Sequence, residues 1–203
     1  MERKKKRVAI PCDWSGITIQ MYQKFEKIKL KKLKEDDFNL EVLSVICGLD
    51  KNVVDDLEVK SLKKIFKTLS FLNKKMPDSE ELIKKVEKLQ KRVEWNGKKY
   101  GFIPNLSEIT MGEYIDIEGH CKGAQKNLHK IMSVLYRPIT KETRTRYEIE
   151  AYNPSDELYE EFLEFPILPS VSALSFFFLL GKGLPNALGR YLKKERMKRR
   201  KGV

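Results

Sequence analysis

An internal repeat is the feature of this 203-residue chain that most constrains its fold. Three segments return later in the chain, in the same order and at offsets that change only from 93 to 92 to 89. The pairs are KKRVAIP at 5–11 with KKYGFIP at 98–104, SGITIQMY at 15–22 with SEITMGEY at 107–114, and LSVI at 43–46 with MSVL at 132–135. A shared order at a nearly fixed period is typical of a tandem duplication. The sequence therefore predicts two copies of one unit, at 8–92 and 93–190.

Each copy is predicted to contain a short strand, a capped helix and further helices. Proline lacks the amide that a central strand position needs, so the Ile-Pro pair should end a strand in each unit. Thr18 and Thr110 precede helical patterns, and Glu113 stands three residues after Thr110, which is the spacing of a capping box. Tyr22 and Tyr114 begin apolar stripes at helical spacing that we expect to face the core.

The remaining patterns favour helices over strands. Asn96-Gly97 separates two alternating runs, 92–95 and 98–103, and is the strongest short signal for a β-hairpin. A third strand is predicted at 146–152. Helices are predicted at 40–47, 61–72, 78–91, 128–136, 157–165 and 167–184, with a further helix around 184–192. The predicted fold class is α+β and mostly helical, built as a tandem duplication of a strand–loop–helix unit with short hairpin strands.

Positive charge is concentrated at the two ends of the chain. Of the formal net charge of +12, residues 1–7 carry +4 and residues 190–203 carry +7, which leaves +1 for residues 8–189. We therefore expect a basic N-terminal tail at 1–7 and a basic helical extension at 191–203. Such tails either remain solvated or contact phosphate or an acidic partner.

No sequence pattern points to an enzyme, a cofactor or a metal. Three cysteines without a CxxC pair and two histidines supply too few ligands, and P-loop, GxGxxG, HExxH and GxSxG motifs are lacking. His120 and Cys121 are neighbours on a predicted helix, where side chains diverge by about 100°. The apolar run at 167–184 is interrupted by Pro169 and Lys182, so it predicts a buried helix and no membrane span. No export signal follows the basic start, because Pro11 breaks the apolar stretch.

The repeat also contains the residues that carry a family resemblance. Ile10-Pro11-x-x-Trp14-Ser15-x-Ile17-Thr18, Phe102-Ile103-Pro104 through Asp116, and His129 through Pro138 together resemble small proteins encoded among the virion assembly genes of tailed phages. The resemblance covers about Val8 to Leu184. It implies a tail or baseplate assembly chaperone, or a minor virion component, that binds phage structural proteins in the host cytoplasm or in the virion.

Five residues are candidates for partner binding: Trp14, Tyr22, Tyr114, Tyr136 and Arg137. Tryptophan is either a core filler or an interface anchor, and both interpretations remain open for Trp14. Tyr136-Arg137-Pro138 is predicted to end a helix before its proline, with Arg137 near the last carbonyls.

The alternative function is a virion-associated protein that contacts nucleic acid through its basic tails. The tail residues that would contact nucleic acid or an acidic partner are Arg3, Lys4, Lys5, Lys6, Arg7, Lys193, Lys194, Arg196, Lys198, Arg199, Arg200 and Lys201.

Overall fold

A computed structural model describes residues 9–73 and 89–181 of the chain. Helices dominate and accompany one antiparallel four-stranded sheet, so the α+β, mostly helical fold class is confirmed. Both basic tails, most of the helix predicted at 78–91 and the helix predicted around 184–192 lie outside the described residues.

From residue 14 to residue 73, the regular elements of the first predicted unit are all helical. A 3₁₀ turn at Trp14–Gly16 precedes the first helix and another at Leu69–Asn73 follows the fourth. The helices are α1 (Ile19–Leu30), α2 (Glu35–Cys47), α3 (Lys51–Asp55) and α4 (Val59–Thr68). Ala9 and Ile10 are not in a strand, so the strand predicted before Pro11 is wrong for these two residues.

The second unit holds the sheet of the described residues, apart from Arg92 at the start of the first strand. Its strands are β1 (Arg92–Trp95), β2 (Lys98–Phe102), β3 (Tyr136–Glu142) and β4 (Tyr147–Ile149), joined in the order β1-β2-β3-β4. Its helices are α5 (Met111–Cys121), α6 (Leu128–Leu135), α7 (Asp156–Glu161) and α8 (Ile167–Gly181). Two 3₁₀ turns, Leu106–Glu108 and Phe162–Glu164, precede α5 and follow α7.

Threonine caps begin the first long helix of each unit, as predicted. The Thr18 hydroxyl accepts a hydrogen bond from the Met21 amide and caps α1. Thr110 does the same for the Glu113 amide, and the Glu113 carboxylate accepts the Thr110 amide in return at 2.7 Å. α5 therefore begins with a complete capping box, whereas α1 has the threonine alone.

The hairpin between β1 and β2 turns at the predicted residues. Asn96 and Gly97 both have positive φ, at 49° and 69°, which is the backbone of the tight turn that matches strand twist. Gly101 of β2 lies directly beneath the Tyr147 ring of β4, and an added Cβ there would collide with that ring. Glycine at this position therefore allows β4 to fold over the β2–β3 pair.

One hydrophobic core joins the two units. The segment at 165–167 lies beside the start of α1: Ile19 donates its amide to the Phe165 carbonyl, and Ile167 donates to the Ile17 carbonyl, each at 2.9 Å. Aromatic rings from β1 and β3, on one face of the sheet, meet at Phe165, with the Trp95 and Tyr136 ring centroids within 5.1 and 5.2 Å. Side chains of α1, α2, α6 and α8 belong to the same buried cluster.

Three predicted boundaries change in the structure. The helix predicted to include Tyr136 ends at Leu135, because Tyr136–Pro138 pairs with β2. The strand predicted over 146–152 is only Tyr147–Ile149. Residues 89–91, the described end of the helix predicted at 78–91, are not helical.

Candidate partner-binding surface

Trp14 and Tyr22, two of the predicted binding residues, lie together in the first unit. The Trp14 ring meets Phe71 edge-to-face at 5.4 Å and Tyr22 at 6.4 Å between centroids. All three side chains are partly buried against the core. The Trp14 ring thus fills the space between the start of α1 and the 3₁₀ turn after α4, which favours the core-filler interpretation.

Tyr136 is not available to a partner, so its assignment as a binding residue is wrong. The residue is fully buried, and its hydroxyl donates to the Gln90 carbonyl at 2.8 Å. Burial raises the pKa of Tyr136 above its ordinary value. Its ring packs between Phe102 and Phe165 in the core. The prediction failed because β3 pairs with β2, a long-range contact that a local helix-end rule does not include.

Arg137 binds a carboxylate and not the end of a helix, so its predicted position at a helix end is wrong, while its assignment as a partner-binding residue stays a prediction. Its Nη2 lies 2.7 Å from Glu113 Oε1, and the two side chains are only 12% and 5% exposed. The Arg137 Nε is buried without a hydrogen-bond partner among the described residues. Because Glu113 also caps α5, this ion pair connects the beginning of β3 with the beginning of α5.

A cleft of about 420 Å³ opens beside this ion pair. Its lining comes from the start of α5, the start of β3 and the loop after β4, and consists of Thr110, Gly112, Glu113, Asp116, Arg137, Ala151, Tyr152 and Pro154. The Tyr152 hydroxyl donates to the Asp116 carboxylate at 2.9 Å. The cleft therefore offers two carboxylates, a guanidinium and a phenol within one small lining, next to the apolar faces of proline and alanine.

A polar network continues from the cleft toward α6. The Tyr152 and Tyr159 hydroxyls are 3.3 Å apart. The Tyr159 ring packs edge-to-face against His120, and the Lys130 ammonium lies 4.9 Å from the centre of the same tyrosine ring. Burial, followed by the hydrogen bonds to Tyr159 and Asp116, raises the pKa of Tyr152. Burial and the neighbouring Lys130 lower the pKa of His120. These contacts hold Asp116 and Tyr152 in place at the edge of the cleft.

Two large apolar side chains of α5 are exposed near the cleft. Met111 and Ile115 are 57% and 58% exposed and stand one helical turn apart, while Ile117 on the opposite side of α5 is buried. Tyr114, the remaining predicted binding residue of this unit, is half-buried. Added Cβ atoms at Gly112 and Gly119 would meet no other atom within 4 Å, so the helix backbone is accessible there.

We call Met111, Ile115 and the cleft together the α5 surface. Three residues of its cleft were singled out from the sequence: Thr110 and Glu113 as a cap and Arg137 as a binding residue. Met111 and Ile115 had a visible signal, since they are apolar residues at helical spacing on the side of α5 opposite Ile117. Asp116 and Tyr152 had none, because they are 36 residues apart and meet only through the fold.

The described residues hold neither a candidate metal cluster nor a candidate membrane-spanning helix. Among residues 9–73 and 89–181, no three histidine, cysteine or acidic side chains are placed to hold a metal ion. No helix in the same residues is long and apolar enough to cross a bilayer.

His129 is half-buried, with its Nδ1 3.4 Å from Gln23 Nε2. The predicted tail contacts lie outside the described residues.

Comparison with known proteins finds no matching family model, no matching curated protein and no matching solved structure.

Proposed function

We propose that this chain is a phage virion assembly protein that works by binding other structural proteins, with the α5 surface as the binding site. The observation that carries the proposal is the exposure of Met111 and Ile115 beside the cleft. Together with the resemblance of the repeated segments to phage assembly proteins, it favours a non-enzymatic, protein-binding role.

The α5 surface combines the two components of a specific protein interface. Burial of an aliphatic side chain such as Met111 or Ile115 contributes about 1.5–3 kcal/mol. The polar groups of the cleft then fix the orientation of the partner, as polar rims do in protein interfaces. Gly112 and Gly119 leave room for a partner backbone to approach α5.

The mechanism depends on competition for the partner. An unassembled tail or baseplate subunit exposes apolar or edge-strand surface that would otherwise aggregate. Binding to the α5 surface covers that surface, and a stronger contact in the growing particle then displaces this protein by mass action. A protein that remains bound in the particle would instead act as a minor structural component, and mass spectrometry of purified virions distinguishes the two.

Co-expression of this chain with each structural protein encoded beside it tests the proposal. We expect one of them to co-purify, and the double substitution Met111→Ser with Ile115→Ser to weaken that binding by about tenfold or more, since hot-spot losses reach 2 kcal/mol. The matched control is Leu30→Ser with Val59→Ser, because these side chains are also exposed, at 83% and 67%, but lie elsewhere. Equal loss in both variants, or capture of no structural protein, would contradict the proposal.

A second candidate function is nucleic-acid contact through the tails. The observation in its favour is the net charge of +4 in residues 1–7 and +7 in residues 190–203. Thirteen basic residues would give retention on DNA that weakens steeply with salt. If a chain lacking both tails is retained on DNA at low salt as well as the full chain, this candidate is lost.

A further inference from the structure

Four exposed lysines form a row on α4. The residues are Lys60, Lys63, Lys64 and Lys67, which we call the lysine stripe. Ile65 and Leu69 on the opposite side of the same segment are buried. The spacing of three, one and three residues places the lysines on one helical face. Since a helix rises 1.5 Å per residue, the stripe is about 10 Å long.

Four exposed glutamates form a second row, with the same sequence spacing, later in the chain. The residues are Glu157, Glu160, Glu161 and Glu164, on α7 and the 3₁₀ turn that follows it. Phe162 and Phe165 on the inner side are buried. We call these four residues the glutamate stripe. Its sequence spacing is again three, one and three residues, which is the same when the direction is reversed. Because Glu164 lies in a 3₁₀ turn, which rises about 2 Å per residue, the glutamate stripe is about 12 Å long, close to the length of the lysine stripe.

The two stripes do not neutralise each other within one molecule. Six ion pairs are formed between the residues that the structure describes, and none of them includes a residue of either stripe. Eight charged side chains in two complementary rows thus remain exposed. Lone exposed charges need no partner, but two rows of opposite sign and identical spacing form a matched pair.

We infer that the lysine stripe of one copy of this chain binds the glutamate stripe of another. Each copy carries one stripe of each kind, so the contact is head-to-tail and leaves one free stripe at each end. Such a contact closes into a ring or grows into a filament. Nucleic acid would account for the lysine stripe but would leave the matching glutamate stripe unexplained. The inference rests on α4 and α7 alone and stands whether or not the α5 surface binds a partner.

The contact should be weak and sensitive to conditions. Exposed ion pairs contribute little individually, and salt screens them beyond about 8 Å at physiological ionic strength. We therefore expect self-association that rises with protein concentration and falls as salt is added. An interaction of this strength is suited to copies that are already concentrated, for example on a common surface.

Sedimentation velocity of the full chain over a concentration series, after nuclease treatment and at about 50 mM salt, tests the inference. The lysine variant is Lys63→Glu with Lys67→Glu, and the glutamate variant is Glu160→Lys with Glu164→Lys. We expect each variant alone to associate about tenfold more weakly than the unaltered chain. An equimolar mixture of the two variants should associate again, because each altered stripe then meets a stripe of opposite sign.

The matched control is Lys27→Glu with Lys122→Glu, which changes net charge as the lysine variant does but at exposed lysines outside the stripe. The control should associate like the unaltered chain, and melting curves should show all variants folded because every altered side chain is exposed. A chain that stays monomeric throughout the series, a mixture that does not recover association, or association that disappears with nuclease would overturn the inference. The last result would assign the lysine stripe to nucleic acid.

Discussion

The helix pairs α1–α2 and α5–α6 occupy corresponding positions in the two predicted units, but the side-chain contacts that stabilise them differ. Both begin at a capping threonine, Thr18 in one and Thr110 in the other. By the repeat offset of 92, Met21 takes the place of Glu113. By the offset of 89, Gly48 takes the place of Arg137. The second pair thus has a carboxylate and a guanidinium where the first has neither.

These two differences coincide with different structures after each helix pair. Gly48 has φ of 62° and ends α2 with a left-handed cap, after which the chain enters short helices. At the corresponding place Arg137 is part of β3 and is paired with Glu113. The comparison indicates that a threonine is enough to start the helix, whereas the buried ion pair attaches a sheet to it.

Removal of the buried carboxylate should have the largest effect on stability. Glu113→Ala leaves the Arg137 guanidinium buried without its partner and removes the capping box, so we expect the free energy of unfolding to fall by about 3–5 kcal/mol. Urea denaturation measures it. Lys141→Ala is the matched control, because it breaks an ion pair whose side chains are 76% and 66% exposed, and should cost at most about 1 kcal/mol. Similar losses of unfolding free energy in the two variants would show that the Glu113–Arg137 pair does not stabilise the attachment of β3 to α5.

Gly48→Ala should have the next largest effect and acts on the first unit alone. An alanine Cβ would meet no atom within 4 Å, so the cost is purely that of a left-handed backbone, about 1–2 kcal/mol. The same urea measurement applies. Gly112→Ala is the control, since its Cβ also meets nothing but Gly112 lies in α5 without a positive φ. Equal or greater loss at Gly112 would contradict a left-handed end to α2.

The two threonine caps allow a direct test of one unit against the other. Thr18→Ala should cost about 1 kcal/mol, which is typical for loss of a cap. Thr110→Ala should cost more, up to about 2 kcal/mol, because its hydroxyl also lies 2.9 Å from the carboxylate of Glu113. Thermal unfolding of the two variants side by side measures the difference. A greater loss for Thr18→Ala would reverse the proposed ranking of the two helix starts.

Mild acid should weaken the α5–α6 pair slightly through His120 and His129. The pair α1–α2 contains no histidine and should be affected only where Gln23 of α1 contacts His129. Burial first, and then Lys130, lowers the pKa of His120 and of His129 from 6.5 in the folded chain. Below pH of about 6.5 the unfolded chain binds protons that the folded chain does not, so stability is full above that pH and falls with the pH. Both side chains are partly exposed, which limits the loss to about 1 kcal/mol.

Melting temperatures at pH 7.5 and 5.5 measure this effect, with an expected decrease of about 2–4 °C. In the double variant His120→Asn with His129→Gln the decrease should become smaller. An unchanged decrease in that variant would assign the acid sensitivity to other groups.

Local signals in the sequence predicted the parts of the fold that depend on neighbouring residues. Asn96-Gly97 predicted its hairpin because both residues tolerate positive φ, and Thr110 with Glu113 predicted the capping box because three residues separate them. The apolar face of α4 was also visible. In each case the partners are within about one helical turn or one strand, so spacing alone determines the contact.

Contacts between distant segments could not be predicted in this way. Proline after Tyr136-Arg137 is a common sign of a helix end, but Pro138 lies where β3 leaves β2 and begins to pair with β4. Arg137 meets Glu113 across 24 residues, and Asp116 meets Tyr152 across 36. The cleft is formed by these long-range contacts, and so only Arg137 among the predicted binding residues contributes to its lining.

The central claim is that partners bind the second unit at the α5 surface. Hydrogen–deuterium exchange of the full chain, alone and with the structural protein that it captures, tests this claim directly. We expect added protection in 111–121 and 151–154 and none in 19–47. Protection confined to α1 and α2, or no change in α5 at saturating partner, would contradict it.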